Sequence, residues 1–162
     1  MSESGDYDPG PWTGHDFTAA RVTYDKHAGR SYAAAVAAKK TTTDLLPPEM
    51  ETDSPSPLAI VVDETGSMGE WPAIMFSKLP YLVHEAKVYL GKNTKISFAA
   101  IGDAHNNEKY PLQGRPFEDG EPLLERLKEL VIEGGGGGTM HESYELAALY
   151  YARNVKMPNA KK

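Results

Sequence analysis

The chain has 162 residues, of which 40% are hydrophobic and 25% charged, a balance that fits a soluble globular protein with one core. Its formal net charge of −6 and its scattered Lys and Arg residues exclude the electrostatic footprint of a nucleic-acid or anionic-membrane binder. Cys is absent, which rules out a disulfide framework, a thiolate zinc site and cysteine catalysis.

The opening residues Met1 to Asp6 are acidic and lack an apolar stretch, so no secretory signal is expected and a cytoplasmic location is. Residues Met1 to Gly14 are rich in Gly, Pro, Asp and Ser and read as an arm with no core of its own. Ala28 to Lys40 has good helix propensity, with lysines at the end the helix dipole favours, but little to bury. Its run Ala33 to Ala38 falls far short of the ~20 apolar residues a membrane helix needs. Thr41 to Pro57 holds four prolines among Ser, Thr, Asp and Glu and reads as a linker, which divides the chain into an arm over 1–57 and a sheet domain over 58–162.

Leu58 to Val62 is an apolar run bounded by Pro57 and, further on, Gly66, as expected of a strand buried on both faces in a parallel sheet. Asp63, Thr65 and Ser67 follow at alternate positions at its carboxyl end, where open α/β sheets gather ligands. These side chains offer only oxygen, which suits Mg²⁺, Mn²⁺ or Ca²⁺ over a soft metal. Ala73 to Leu90 carries apolar residues on one helical face, interrupted by Pro80. Lys95 to Ile101 reads as a second strand. Tyr110 to Phe117, broken by Pro111 and Pro116, reads as an edge strand or loop. Leu123, Leu124, Leu127, Leu130 and Val131 form a helical stripe opposite charged residues. A last helix over His141 to Asn154 is apolar nearly all round, as expected where more protein covers it.

The segment Asp63-Glu64-Thr65-Gly66-Ser67-Met68 resembles the D-x-S-x-S opening of the metal-ion-dependent adhesion site of the von Willebrand factor type A family, with Thr65 in place of the first Ser. Gly134 to Gly138 followed by Thr139-Met140-His141-Glu142 is similar to that family's Gly-rich loop and its metal-binding Thr. Ile96 to Ile101 with Gly102-Asp103-Ala104-His105 is similar to the second strand and its exit in intracellular members. The resemblance implies a Rossmann-like, doubly wound α/β fold with a mostly parallel sheet and helices on both faces. It implies a cation, Mg²⁺ first, held by Asp63, Thr65, Ser67 and Thr139, with a position left for an acidic side chain of a partner protein. In the family a later strand ends in an Asp that completes the metal's outer shell, and no Asp follows Asp119. The chain is therefore expected to be the front part of a domain whose later strands come from a continuation, a second copy or another subunit.

The same residues admit plainer roles. Ser67-Met68-Gly69-Glu70 and Thr139-Met140-His141-Glu142 both fit S/T-x-x-E, so each hydroxyl could cap a helix. Asp103 after Gly102 suits a turn, and His105 and His141 match a hard oxygen site poorly. The glycine run lacks the Lys-Ser/Thr pair of a phosphate loop. A metal-dependent phosphohydrolase would need a second carboxylate where Thr65 stands, and Thr65 to Gly69 does not match G-x-S-x-G, so no catalytic residue is assigned. A structural subunit of a larger particle, with an incidental or empty metal site, is the other alternative to a metal-dependent protein-binding domain.

Overall fold

The computed structural model describes residues 42–65, 82–105, 108–131 and 143–161. The expected arm, the Ala-rich stretch, Pro80, Ser67, Thr139 and His141 lie outside the described residues. The described elements, in chain order, are α1 (Thr42–Leu45), β1 (Met50–Glu51), β2 (Leu58–Asp63), α2 over residues 82–90, β3 (Ile96–Ile101), β4 (Leu112–Gly114), α3 (Gly120–Lys128), α4 (Tyr144–Asn154) and β5 (Val155–Lys156). The chain is thus α/β in class, and its described residues form one mixed three-stranded sheet and one parallel two-stranded pair.

The two apolar runs become the paired strands β2 and β3, which lie parallel from Leu58↔Ile96 to Asp63↔Ile101. A parallel pair needs a crossover, and α2 lies within it. Strand β4 then pairs antiparallel on the other side of β3, through Ala99↔Gly114, Ala100↔Gln113 and Ile101↔Leu112, so β3 is central and wholly buried. Among the described residues the proline-broken stretch is therefore an edge strand, as its sequence allows.

Strand alternation sorts the core into two sides. Ile96, Phe98, Ala100 and Val62 pack with Val83 of α2 and with Leu123 and Leu130, while Ile101 and Val61 belong with Met50, Leu112, Phe117, Ala147 and Tyr150. Helices α2 and α3 thus serve one face of the sheet and α4 the other. Of the stripe expected on α2, Val83 is buried and Ala86 packs against the core, whereas Leu82 faces solvent. Leu130 and Val131 are buried as expected, but they lie beyond the end of α3 at Lys128.

Two expectations need correction. The stretch expected as a linker is packed over its described part: Leu45 is fully buried with Tyr110 and Val131, and Met50 and Glu51 pair in parallel with Val155 and Lys156. Arg115 holds this segment, donating from both terminal nitrogens to the carbonyl of Asp44 at 2.9 Å while Nη1 also reaches Glu129 at 3.1 Å. Burial lowers the pKa of this guanidinium, and Glu129 opposes the shift. The last helix begins at Tyr144 and not at His141, with Ser143 at the N-cap position. Of its apolar residues Ala147 and Tyr150 are buried while Leu149 and Tyr144 are exposed.

Candidate metal centre

Asp63 closes β2 at the carboxyl edge of the sheet and is 8% exposed; Thr65, two residues on, is fully buried. Both the amide and the hydroxyl of Thr65 donate to Asp63 Oδ1, each at 2.8 Å. This local turn, of the kind Asp favours, fixes the carboxylate before any ligand arrives. The other oxygen, Oδ2, accepts a hydrogen bond from Tyr144 at 3.2 Å. Two of the four expected ligand residues are therefore in contact, and Ser67 and Thr139 are not among the described residues.

Glu64, between these two, turns the opposite way. Its amide extends the ladder by donating to Ile101 O at 2.8 Å, and its side chain is fully buried. Gln113 on β4 donates to Glu64 Oε1 at 2.7 Å and to Val131 O at 2.6 Å, and accepts from Val131 N at 2.8 Å. A buried carboxylate is tolerated only with such partners. One amide side chain thereby ties the exit of β2 to the residue from which the chain enters the glycine-rich segment.

The exit of β3 is fastened to the start of α4. Ser143 N donates to Gly102 O at 3.2 Å, and Ala104 N donates to Ser143 Oγ at 3.1 Å. Asp103 is buried and its Oδ1 accepts from His105 N at 2.7 Å, the geometry of the turn former expected there. A Cβ at Gly102 would fall 1.7 Å from Glu108 Oε2, the atom that accepts from Asp103 N, so any side chain there would make the Glu108 carboxylate shift. His105 is exposed in the loop.

Chemically, Asp63 and Thr65 fit a hard cation, being one anionic and one neutral oxygen donor with no nitrogen or sulfur between them. Among the described residues no group of three or more His, Cys, Asp or Glu side chains is placed to hold a metal ion. Among the described residues the donors at this centre are the Asp63 carboxylate and the Thr65 hydroxyl. Glu64, Gln113, Ser143 and Tyr144 were not foreseen in the sequence. Only Glu64 left a trace there, as a charged residue at the odd position of an i, i+2 pair leaving a buried strand.

Comparison of the chain with protein-family models, curated proteins and solved structures returned no match. Among the described residues no helix is long and apolar enough to cross a membrane.

Proposed function

We propose that the chain is a von Willebrand factor type A-like domain that binds a divalent cation, Mg²⁺ first, and through it a carboxylate on a partner protein in a multiprotein assembly. The observation that carries this reading is the Asp63 carboxylate, set at the carboxyl end of a parallel strand and oriented by the amide and hydroxyl of Thr65. The parallel β2–β3 pair with helices on both faces supports the Rossmann-like fold, and an antiparallel edge strand is common in such sheets. Asp63 and Thr65 would hold the ion together with the hydroxyls of Ser67 and Thr139. A cation neutralised by only one carboxylate supplies an electrophilic site that favours a further anionic oxygen.

Isothermal titration with Mg²⁺ and Mn²⁺ tests the reading on wild type and Asp63→Asn, a change that keeps an acceptor for the Thr65 donors and removes the charge. Binding heat is expected from wild type and none from the variant, with both proteins folded by circular dichroism. Equal heats would overturn the proposal.

A further inference from the structure

A cavity of about 390 Å³ opens between α4 and the segment ahead of β1. Leu146, Leu149, Tyr150 and Arg153 line it from α4 at i, i+3, i+4 and i+7, the spacing of a single helical face. Leu46 and Leu112 line it from the other side. Its other polar groups are spent within the protein: the Tyr150 hydroxyl donates to Pro47 O, Asn154 Nδ2 donates to Pro48 O at 2.9 Å, and Pro111 O accepts from Gly102 N at 3.0 Å. The first two bonds also fix α4 against the opposite wall, so the cavity is formed before anything enters it. Arg153 differs. It is exposed and makes no hydrogen bond or ion pair with any described residue, and among the described residues no acidic side chain lines the cavity.

We propose that this cavity binds a small amphipathic carboxylate, an apolar body of one ring or one short alkyl chain bearing a single negative charge. The apolar lining selects the body, and the guanidinium selects the head group, because its planar fork matches a carboxylate. One guanidinium balances one negative charge, which favours a monoanion over a phosphate monoester. The chain's net charge of −6 repels anions in general, so a head group without an apolar body gains little. The volume lies at the low end of the ~300–1,000 Å³ of small-molecule sites, which sets the short body. The cavity shares no residue with the proposed cation centre, and its occupation needs no metal.

The test is a titration of the full chain in EDTA with octanoate, octanamide and acetate, followed by amide chemical shifts resolved by residue, on wild type, Arg153→Gln and Leu149→Glu. Octanoate is expected to give saturable shifts at Leu46, Leu112 and Leu146 to Asn154. Octanamide is expected to bind the same residues roughly three- to fivefold more weakly, and acetate to give no saturable shift. Arg153→Gln is expected to abolish the difference between octanoate and octanamide. Leu149→Glu sets a carboxylate four residues before Arg153, where it pairs with the guanidinium, and is expected to weaken octanoate more than octanamide. Both side chains are exposed, so both variants are expected to fold. Absence of saturable octanoate shifts at these residues in folded wild type would overturn the proposal, and so would equal binding of octanoate and octanamide. Shifts at Leu146 and Leu149 that depend on protein concentration without ligand would overturn it in favour of a second copy seated there. Saturation by a Leu- and Glu-rich peptide but not by octanoate would overturn it in favour of a protein partner.

Discussion

Gln113 illustrates how much can depend on one neutral side chain. It is fully buried and makes three hydrogen bonds, to Glu64 and to both backbone groups of Val131. Gln113→Leu would strip a partner from a buried carboxylate and from a buried amide and carbonyl. Breaking such a network by removing one partner costs about 3–5 kcal/mol, and urea unfolding of the variant is expected to register a loss of that size. A loss under about 1 kcal/mol would mean that water replaces the amide. Tyr151 allows a sharper measurement. Its hydroxyl bonds to Ser97 Oγ at 2.6 Å, Ser97 in turn donates to Arg115 O, and burial pushes the phenol up to about 12 despite the Ser97 bond, which lowers it. Because the folded-state pKa is raised above the unfolded value of about 10, the unfolded chain loses its proton first as pH rises. The contribution is complete below pH ~10 and disappears between pH ~10 and ~12, amounting to roughly 2–3 kcal/mol. Denaturant midpoints from pH 8 to 12 are expected to fall more steeply for wild type than for Tyr151→Phe, and parallel curves would refute this. Neither residue was legible in the sequence. Each acts through a partner dozens of positions away, and a buried Gln or Tyr carries no local period or turn signal.

At the scale of elements, β2 and β3 were legible as continuous apolar runs, and their exits because Asp and Gly stand where the run stops; β3 is buried throughout as such a run implies, whereas β2, expected to be buried on both faces, is buried only at Val62 and Asp63. The segment from Asp44 to Met50 was not legible. Its two prolines signal a loop, and the burial of Leu45 and Met50 follows from tertiary partners, with no spacing to announce it. The start of α4 was misplaced for a related reason. Ser143 takes the N-cap position without a side-chain cap, because its Oγ accepts from Ala104 N while its amide donates to Gly102 O, and such long-range tethers leave no local signal in the sequence. The site was legible in part: the sequence singles out Asp63 and Thr65 by their alternation, while the donors that fix Asp63 include one, Tyr144, that no spacing links to it. Sheet order yields its own prediction. In a parallel pair the amides of a strand alternate between its two sides, and the bonds of Leu58 N to Lys95 O and of Glu64 N to Ile101 O set the phase. The amides of Ile60 and Val62 therefore face β3, and those of Ala59 and Val61 face an edge with no neighbour among the described residues. Hydrogen exchange resolved by residue is expected to be slow at Ile60 and Val62 and fast at Ala59 and Val61. Uniform protection along β2 would reveal a further strand on that edge.

For the whole molecule, the segment before β2 is part of the fold and not an approach to it. Leu45 and Met50 each contribute about 1.5–3 kcal/mol by burial, a large share of the 5–15 kcal/mol typical of a domain. A fragment of residues 58–162 also loses the Asp44 carbonyl that Arg115 holds and the β1–β5 pair. It is expected to lack a cooperative melt and near-UV dichroism under conditions where the full chain has both, and a native-like melt of the fragment would refute this. The β1–β5 pair has a further consequence, for the order of events on the ribosome. Glu49, just ahead of β1, and Lys156 of β5 are ion partners 107 residues apart in sequence. At a synthesis rate of roughly 5–20 residues per second, Met50 waits about 5–20 s before its strand partner Val155 has been translated. Strands β2, β3 and β4 all lie within that interval, so the sheet can assemble while the apolar stretch ahead of it is still open to chaperones and proteases. Translation pauses ahead of codon 155 would lengthen that exposure without altering a single residue.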